Sequence, residues 1–244
     1  MTARCQVAMA VISLVVLSCM AGCDRMPGKP TEAARWRPST QVVRFTALYS
    51  QWCSACHGVD GRLGAARPLN DPLYLALVSE DTLRTVIAKG IPHTSMPAFA
   101  QENGGNLTNK QIDILVEGMR AQWARPDAFT NVVLPPYSLH DAIAAGSGPG
   151  HVQNGAGVYT TYCAQCHGAD GTGGPQGGSI IAPAYLALVS DQTLRTTVIA
   201  GRADLGKPDW RANIPTRPMS PQDISDVVAW LASYRERQQS AQQR

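Results

Sequence analysis

Two pentapeptides in this chain carry enough chemistry to define it: Cys53-Ser54-Ala55-Cys56-His57 and Cys163-Ala164-Gln165-Cys166-His167, each followed by glycine. Cys-x-x-Cys-His is the attachment pattern of haem c. The two thiols bond covalently to the vinyl groups, and the adjacent imidazole becomes the proximal iron ligand. A Cys-x-x-Cys pair can instead be half of a zinc site or a thiol redox pair. Zinc needs four ligands close together, and these pairs lie in separate sequence units, so each would have to find ligands elsewhere. A thioredoxin-like pair belongs in a βαβ pattern, and none is visible. Of seven cysteines, the two motifs use four, and Cys5, Cys19 and Cys23 fall in the amino-terminal segment. Nothing is left for a disulfide framework, whose stapling role covalent haem can take over.

The elements that must position these motifs occur twice. Tyr74-Leu-Ala-Leu-Val-Ser79 recurs letter for letter as Tyr185-Leu-Ala-Leu-Val-Ser190, and residues 74–99 align without a gap on 185–210 with 12 identities in 26 positions. Such self-similarity points to a tandem duplication. Each unit reads as a short helix carrying an aromatic residue (Phe45 and Tyr49; Tyr159), the haem motif, and a Gly/Pro-rich loop. A helix follows, capped by Ser79 or Ser190, with acidic residues in its first turn and an end near Gly90 or Gly201. The last helix opens with the capping box Thr108-x-x-Gln111, or with Ser220-Pro221. Ile112, Leu115, Met119 and Trp123, and likewise Ile224, Val227, Val228 and Leu231, repeat at helical spacing and form a core stripe.

Each unit resembles a class I cytochrome c domain, a small all-α fold wrapped round one haem. The resemblance implies two tandem domains at residues 41–126 and 151–237, each holding a covalently bound haem c and its iron, with a linker at 127–150 and a polar tail at 238–244. It makes Cys53, Cys56 and His57, and Cys163, Cys166 and His167, the haem-binding residues, with His57 and His167 as proximal ligands. Met96, 39 residues after His57 and followed by Pro97, is similar to the family's distal methionine, a soft thioether that raises the iron's potential. The second unit departs from the pattern, because the gapless alignment puts Lys207 where Met96 stands. Either Met219 or Lys207 (as the neutral amine) could complete the second iron, its sixth position could stay open, or Lys207 could turn outward while another side chain or water fills the gap. Aligning the capped helices matches Met219 to Leu107, a packing position.

Residues 1–22 read as an export signal: Arg4 is the only charged side chain, an apolar run extends from Val7 to Leu17, and Ala21-Gly22 precede Cys23. Met20-Ala21-Gly22-Cys23 resembles the bacterial lipobox, which makes Cys23 a lipidation site and 23–40 a tether. The alternative is an uncleaved anchor, since Cys5 to Cys23 is 19 residues without a charge. Either places the haem domains on the periplasmic side of the inner membrane. Removing residues 1–22 takes only Arg4 from a net charge of +3, so the chain offers no strongly basic surface for nucleic acid. Arg62, Arg67, Lys89 and Arg202 read as a solvated face that could steer an acidic partner.

Together these features predict a membrane-tethered periplasmic dihaem cytochrome c carrying single electrons. By resemblance its partners are a terminal oxidase, a quinol-oxidising complex or a dehydrogenase. The rival expectation is a redox enzyme, peroxidase-like or oxidising sulfur compounds, with an open or ligand-switching second haem. Against it, the sulfur-oxidising relatives carry a distal cysteine and none remains here, and the units are short for a peroxidase.

Overall fold

A computed structural model describes residues 28, 31, 32, 35–212, 214 and 216–242. The export signal and lipidation site expected at residues 1–23 lie outside the described residues. The chain divides into two units, residues 1–41 and 42–244, and both haem motifs fall in the second. The described part of the first contains a 3-10 turn at Ser39–Gln41 and an Arg35–Glu32 ion pair of 2.5 Å.

The second unit is all-α, with only isolated bridges and no strand among the described residues. Its first half contains α1 (Phe45–Trp52), α2 (Ser54–His57), α3 (Pro72–Leu77), α4 (Glu80–Lys89) and α5 (Asn109–Trp123). After α6 (Leu139–Ala144) the plan repeats as α7 (Val152–Tyr162), α8 (Ala164–His167), α9 (Pro183–Leu188), α10 (Asp191–Ala200) and α11 (Pro221–Gln242). The caps are those expected. Ser79 Oγ accepts from Thr82 N–H, Ser190 Oγ from Thr193 N–H, and Thr108 and Gln111 form a reciprocal box. Ser220 and Asp223 make an equivalent exchange, Ser220 N–H donating to Asp223 Oδ2 at 2.9 Å and Asp223 N–H to Ser220 Oγ at 3.1 Å. The repeated Tyr-Leu-Ala-Leu segment, between the Gly/Pro-rich loop and the helix capped by Ser79 or Ser190, lies in α3 and α9, which the sequence pattern does not separate from the loop. The overlooked signal was Asp71-Pro72: Asp71 Oδ1 caps Leu73 N–H and Tyr74 N–H, and Pro72 occupies the first turn, where no N–H is needed.

In each half, the first and last helices cross close to the haem motif. Aromatic rings fill the crossing: Tyr49 stands edge-on to Trp123 at 5.1 Å, and Tyr159 stacks on Trp230 at 4.4 Å. The packing is so close that a Cβ at Gly118 would lie 2.2 Å from the Phe45 ring, and one at Gly155 2.1 Å from the Asp226 carbonyl oxygen. An arginine on the last helix then ties down the end of the repeated segment. Arg120 donates to the carbonyls of Leu75 and Val78, and Arg235 to those of Leu186 (2.9 Å) and Val189 (2.8 Å). These carbonyls lie at helix ends, where the helix supplies no donor.

The segment between the repeats is packed on both. Phe129, Val132 and Leu134 lie against the second core and Tyr137 against the first, while Leu73 on α3 belongs to the second core although its neighbours Tyr74 and Leu75 belong to the first. Arg195, 2 % exposed, holds the segment in place. Its guanidinium donates to the carbonyls of Pro136 (2.9 Å) and Tyr137 (3.2 Å) and to Ser225 Oγ (3.1 Å). No helix among the described residues is long and apolar enough to cross a membrane.

Candidate haem sites

Both motifs sit on a single helical turn. Cys53 and Cys163 occupy the N-cap positions of α2 and α8, and Gly58 and Gly168 end these turns at φ 83° and 82°. The phenol of Tyr49 donates to the Gly58 carbonyl at 3.0 Å, and that of Tyr159 donates to the Gly168 carbonyl. The aromatic residue four positions before each first cysteine thus fixes the turn that carries the histidine.

Each imidazole has its Nδ1 tied to a backbone carbonyl of the following loop: His57 to Arg67 O at 2.8 Å and His167 to Gly178 O at 2.8 Å. A carbonyl only accepts, so Nδ1 carries the proton and Nε2 keeps its lone pair, the tautomer a metal ligand needs. Burial also lowers the His57 pKa, outweighing its hydrogen bond to Arg67, and keeps the ring neutral. Burial, with nearby Cys56 adding to it, pushes the Cys53 thiol up to about 12, and the Cys163 thiol rises to about 11 for the same reason with Cys166. Among the described residues, no three His, Cys, Asp or Glu side chains converge as a zinc site would require. In the second half, the hydroxyl of Tyr162, beside Cys163, is buried without a partner. A buried donor of this kind suits an incoming carboxylate such as a haem propionate. The residues present therefore fit covalently held haem. The cysteines would anchor it, the imidazoles would ligate its iron, and the bound group would supply one-electron chemistry.

The distal loops superimpose by their own hydrogen bonds. Ile91 N–H donates to the Met96 carbonyl at 3.0 Å, and Arg202 N–H donates to the Lys207 carbonyl at 3.3 Å, so Lys207 occupies the place of Met96. The Lys207 ammonium donates to the Gln176 carbonyl at 2.6 Å, on the loop that follows the second motif. Met219, 3 % exposed, lies in the second core. Its N–H donates to the Trp210 carbonyl at 3.0 Å, as Leu107 N–H does to Phe99 at 2.7 Å, which reproduces the packing position expected from the alignment. Met96 itself is half-buried.

Two of the four cations read as a solvated face are not free. All three guanidinium nitrogens of Arg67 are buried, and the group lies 4.2 Å from the centre of the Tyr74 ring. Arg202 is ion-paired with Asp204 at 2.9 Å. Arg62 and Lys89 are exposed as expected. The carbonyls of Arg67 and Gly178, which orient the imidazoles, carried no sequence signal, because every residue has one.

Residues 152–235 match the family model described as Cytochrome c, and residues 40–117 match that described as Cytochrome C oxidase, cbb3-type, subunit III. The chain belongs to the class I c-type cytochromes: its two all-α halves are cytochrome c domains that carry covalently bound haem c and serve electron transfer. The dihydro-heme d1 dehydrogenase of Pseudomonas aeruginosa is 37 % identical over 95 residues, which span 36 % of this chain and 18 % of that protein. The chain therefore matches less than a fifth of that relative's length. A solved chain of the Kuenenia stuttgartiensis reducing HAO-like protein complex aligns at a TM-score of 0.41 and 14 % identity, covering 86 % of this chain and 99 % of its own.

Proposed function

We propose that the protein is a membrane-tethered periplasmic dihaem cytochrome c that passes single electrons between redox complexes, with His57 and Met96 ligating the first iron and His167 the proximal side of the second. The observation that carries this reading is the duplicated geometry of the motifs, two cysteines and an imidazole whose Nδ1 is occupied and whose Nε2 is free. The protein's own residues do the rest. Tyr49 and Tyr159 hold the turns, the carbonyls of Arg67 and Gly178 set the ring planes, and the packed segment 127–150 keeps the halves in contact, which favours transfer within the molecule. Lipidation at Cys23 would confine the carrier to a membrane surface. There a terminal oxidase, a quinol-oxidising complex or a dehydrogenase would exchange electrons with it. The match to a cbb3-type oxidase subunit model supports the first of these, and the short match to a dehydrogenase supports the last.

A second reading rests on one observation. Lys207 stands in the methionine position but spends its ammonium on the Gln176 carbonyl, which favours an exchangeable sixth position and redox turnover at the second haem. Stopped-flow mixing of the reduced holoprotein with peroxide separates the two: a carrier reoxidises slowly and without turnover. Intact mass and membrane fractionation of wild-type and Cys23→Ser protein from the native host test the rest. Two haems and release of the variant from the membrane are expected, and haem-free protein would refute the function.

A further inference from the structure

The two haem sites are joined by side chains as well as by packing. Asp204 Oδ2 accepts the Leu63 amide at 3.0 Å, and Arg202 Nη2 donates to the Gly64 carbonyl at 3.2 Å, each bond crossing from the second repeat to the first. The pair is internally locked, with Arg202 Nε and Nη2 each 2.9 Å from an Asp204 oxygen, and the Asp204 side chain is 2 % exposed. Leu63 has φ 63° although it is a leucine with 67 % of its surface exposed. That backbone region disfavours a branched side chain, and such a conformation persists where its surroundings over-determine it. Burial does not hold Leu63, whereas the bond from its amide to Asp204 does.

Both ends of the clamp lead to an iron site. Leu63 and Gly64 belong to the loop whose Arg67 carbonyl orients His57 and whose Ala66 N–H donates to the Cys56 carbonyl at 2.9 Å. Arg202 is bonded twice, backbone to backbone, to Lys207, the residue in the distal position of the second site. The first repeat has no counterpart: Ile91 and an exposed His93 stand where Arg202 and Asp204 would be.

We propose that Asp204 and Arg202 are positioning residues that couple the distal loop of the second haem to the proximal loop of the first, so that the coordination of one iron biases the potential of the other. This inference rests on the haem ligation proposed above. Force reaches His57 through the loop backbone and charge through the Arg202–Asp204 pair, so the two contributions can be separated.

The test uses the full-length dihaem holoprotein, its haem content verified by mass. Amide exchange of peptides covering residues 58–69 and an optical redox titration are measured on Asp204→Asn, on the charge-balanced double variant Arg202→Gln/Asp204→Asn, and on Asp209→Asn. Asp209 is also ion-paired, with Arg211 at 2.6 Å, so its variant controls for loss of a carboxylate in the same half. Asp204→Asn should raise exchange at Leu63 about tenfold or more and change the separation between the two haem midpoints. The double variant should retain both effects, and Asp209→Asn should show neither. Wild-type exchange and midpoint separation in Asp204→Asn would overturn the coupling, and reversion in the double variant would reduce it to charge alone. Arg202→Lys, which cannot reach Asp204 and Gly64 together, should give a partial effect if Asp204→Asn does not fold. Absence of haem would refute the ligation reading instead.

Discussion

Arg84 and Arg195 occupy equivalent places in identical Thr-Leu-Arg-Thr contexts, yet the structure gives them opposite energetic weight. Arg84 lies at the surface, paired with Asp81 at 3.1 Å and Asp113 at 2.6 Å. Arg195 is buried and donates to two backbone carbonyls and a hydroxyl. In Arg195→Met, the Tyr137 carbonyl keeps its bond from Gln192 at 2.9 Å and Ser225 Oγ keeps its bond to the Pro221 carbonyl at 3.1 Å. The Pro136 carbonyl, which is part-buried, loses both of its arginine donors. An unsatisfied buried acceptor costs about 1–3 kcal/mol, and the lost charge-assisted bonds add to it. Relief of the arginine's own desolvation subtracts from it. The net expectation is about 3 kcal/mol, a fall in Tm of about 6–12 °C for a domain of this size. Arg84→Met exchanges water-exposed ion pairs for solvent and should leave the midpoint nearly unchanged. Thermal and guanidinium unfolding of both holoprotein variants, followed by far-ultraviolet circular dichroism, measures the contrast. Equal losses in the two variants would refute the argument that burial, rather than sequence context, sets the value of this arginine.

Other outcomes follow from the same geometry. Tyr49→Phe and Tyr159→Phe each remove one hydrogen bond to the glycine after the histidine, and each should cost about 1 kcal/mol by chemical denaturation while retaining haem. Replacing Cys53 and Cys56 together by alanine should remove one haem from the intact mass and leave the second attached. Neither Lys207→Ala nor Met219→Leu should change the methionine–iron charge-transfer absorbance, because Met219 stands at a packing position and Met96 is its source; a partial loss in Met219→Leu alone would make Met219 a ligand. Asp204 has its carboxyl pKa held below the ordinary range, first by the Arg202 hydrogen bonds and then by the Leu63 amide. Its contribution to the clamp should therefore be complete at neutral pH. It should fall away only as pH drops below about 3.9 toward the folded-state value, which exchange at Leu63 will report.

The sequence by itself determined what is local and covalent. The spacing of Cys53, Cys56 and His57 and its repeat at Cys163, Cys166 and His167 state the chemistry, because thioether attachment and ligation need those atoms within one helical turn. The caps at Ser79, Thr108, Ser190 and Ser220 were legible because a cap is satisfied by residues three positions apart. The core stripes Ile112–Leu115–Met119–Trp123 and Ile224–Val227–Leu231 were legible because burial follows helical period. The tertiary structure alone decided which arginine is buried, which carbonyl orients each imidazole, that Leu73 turns to the other repeat's core, and that Asp204 reaches Leu63. Those outcomes depend on which surfaces meet between the repeats. Two copies of one sequence pattern fold alike within themselves, but they face different neighbours, so identical letters acquire different partners.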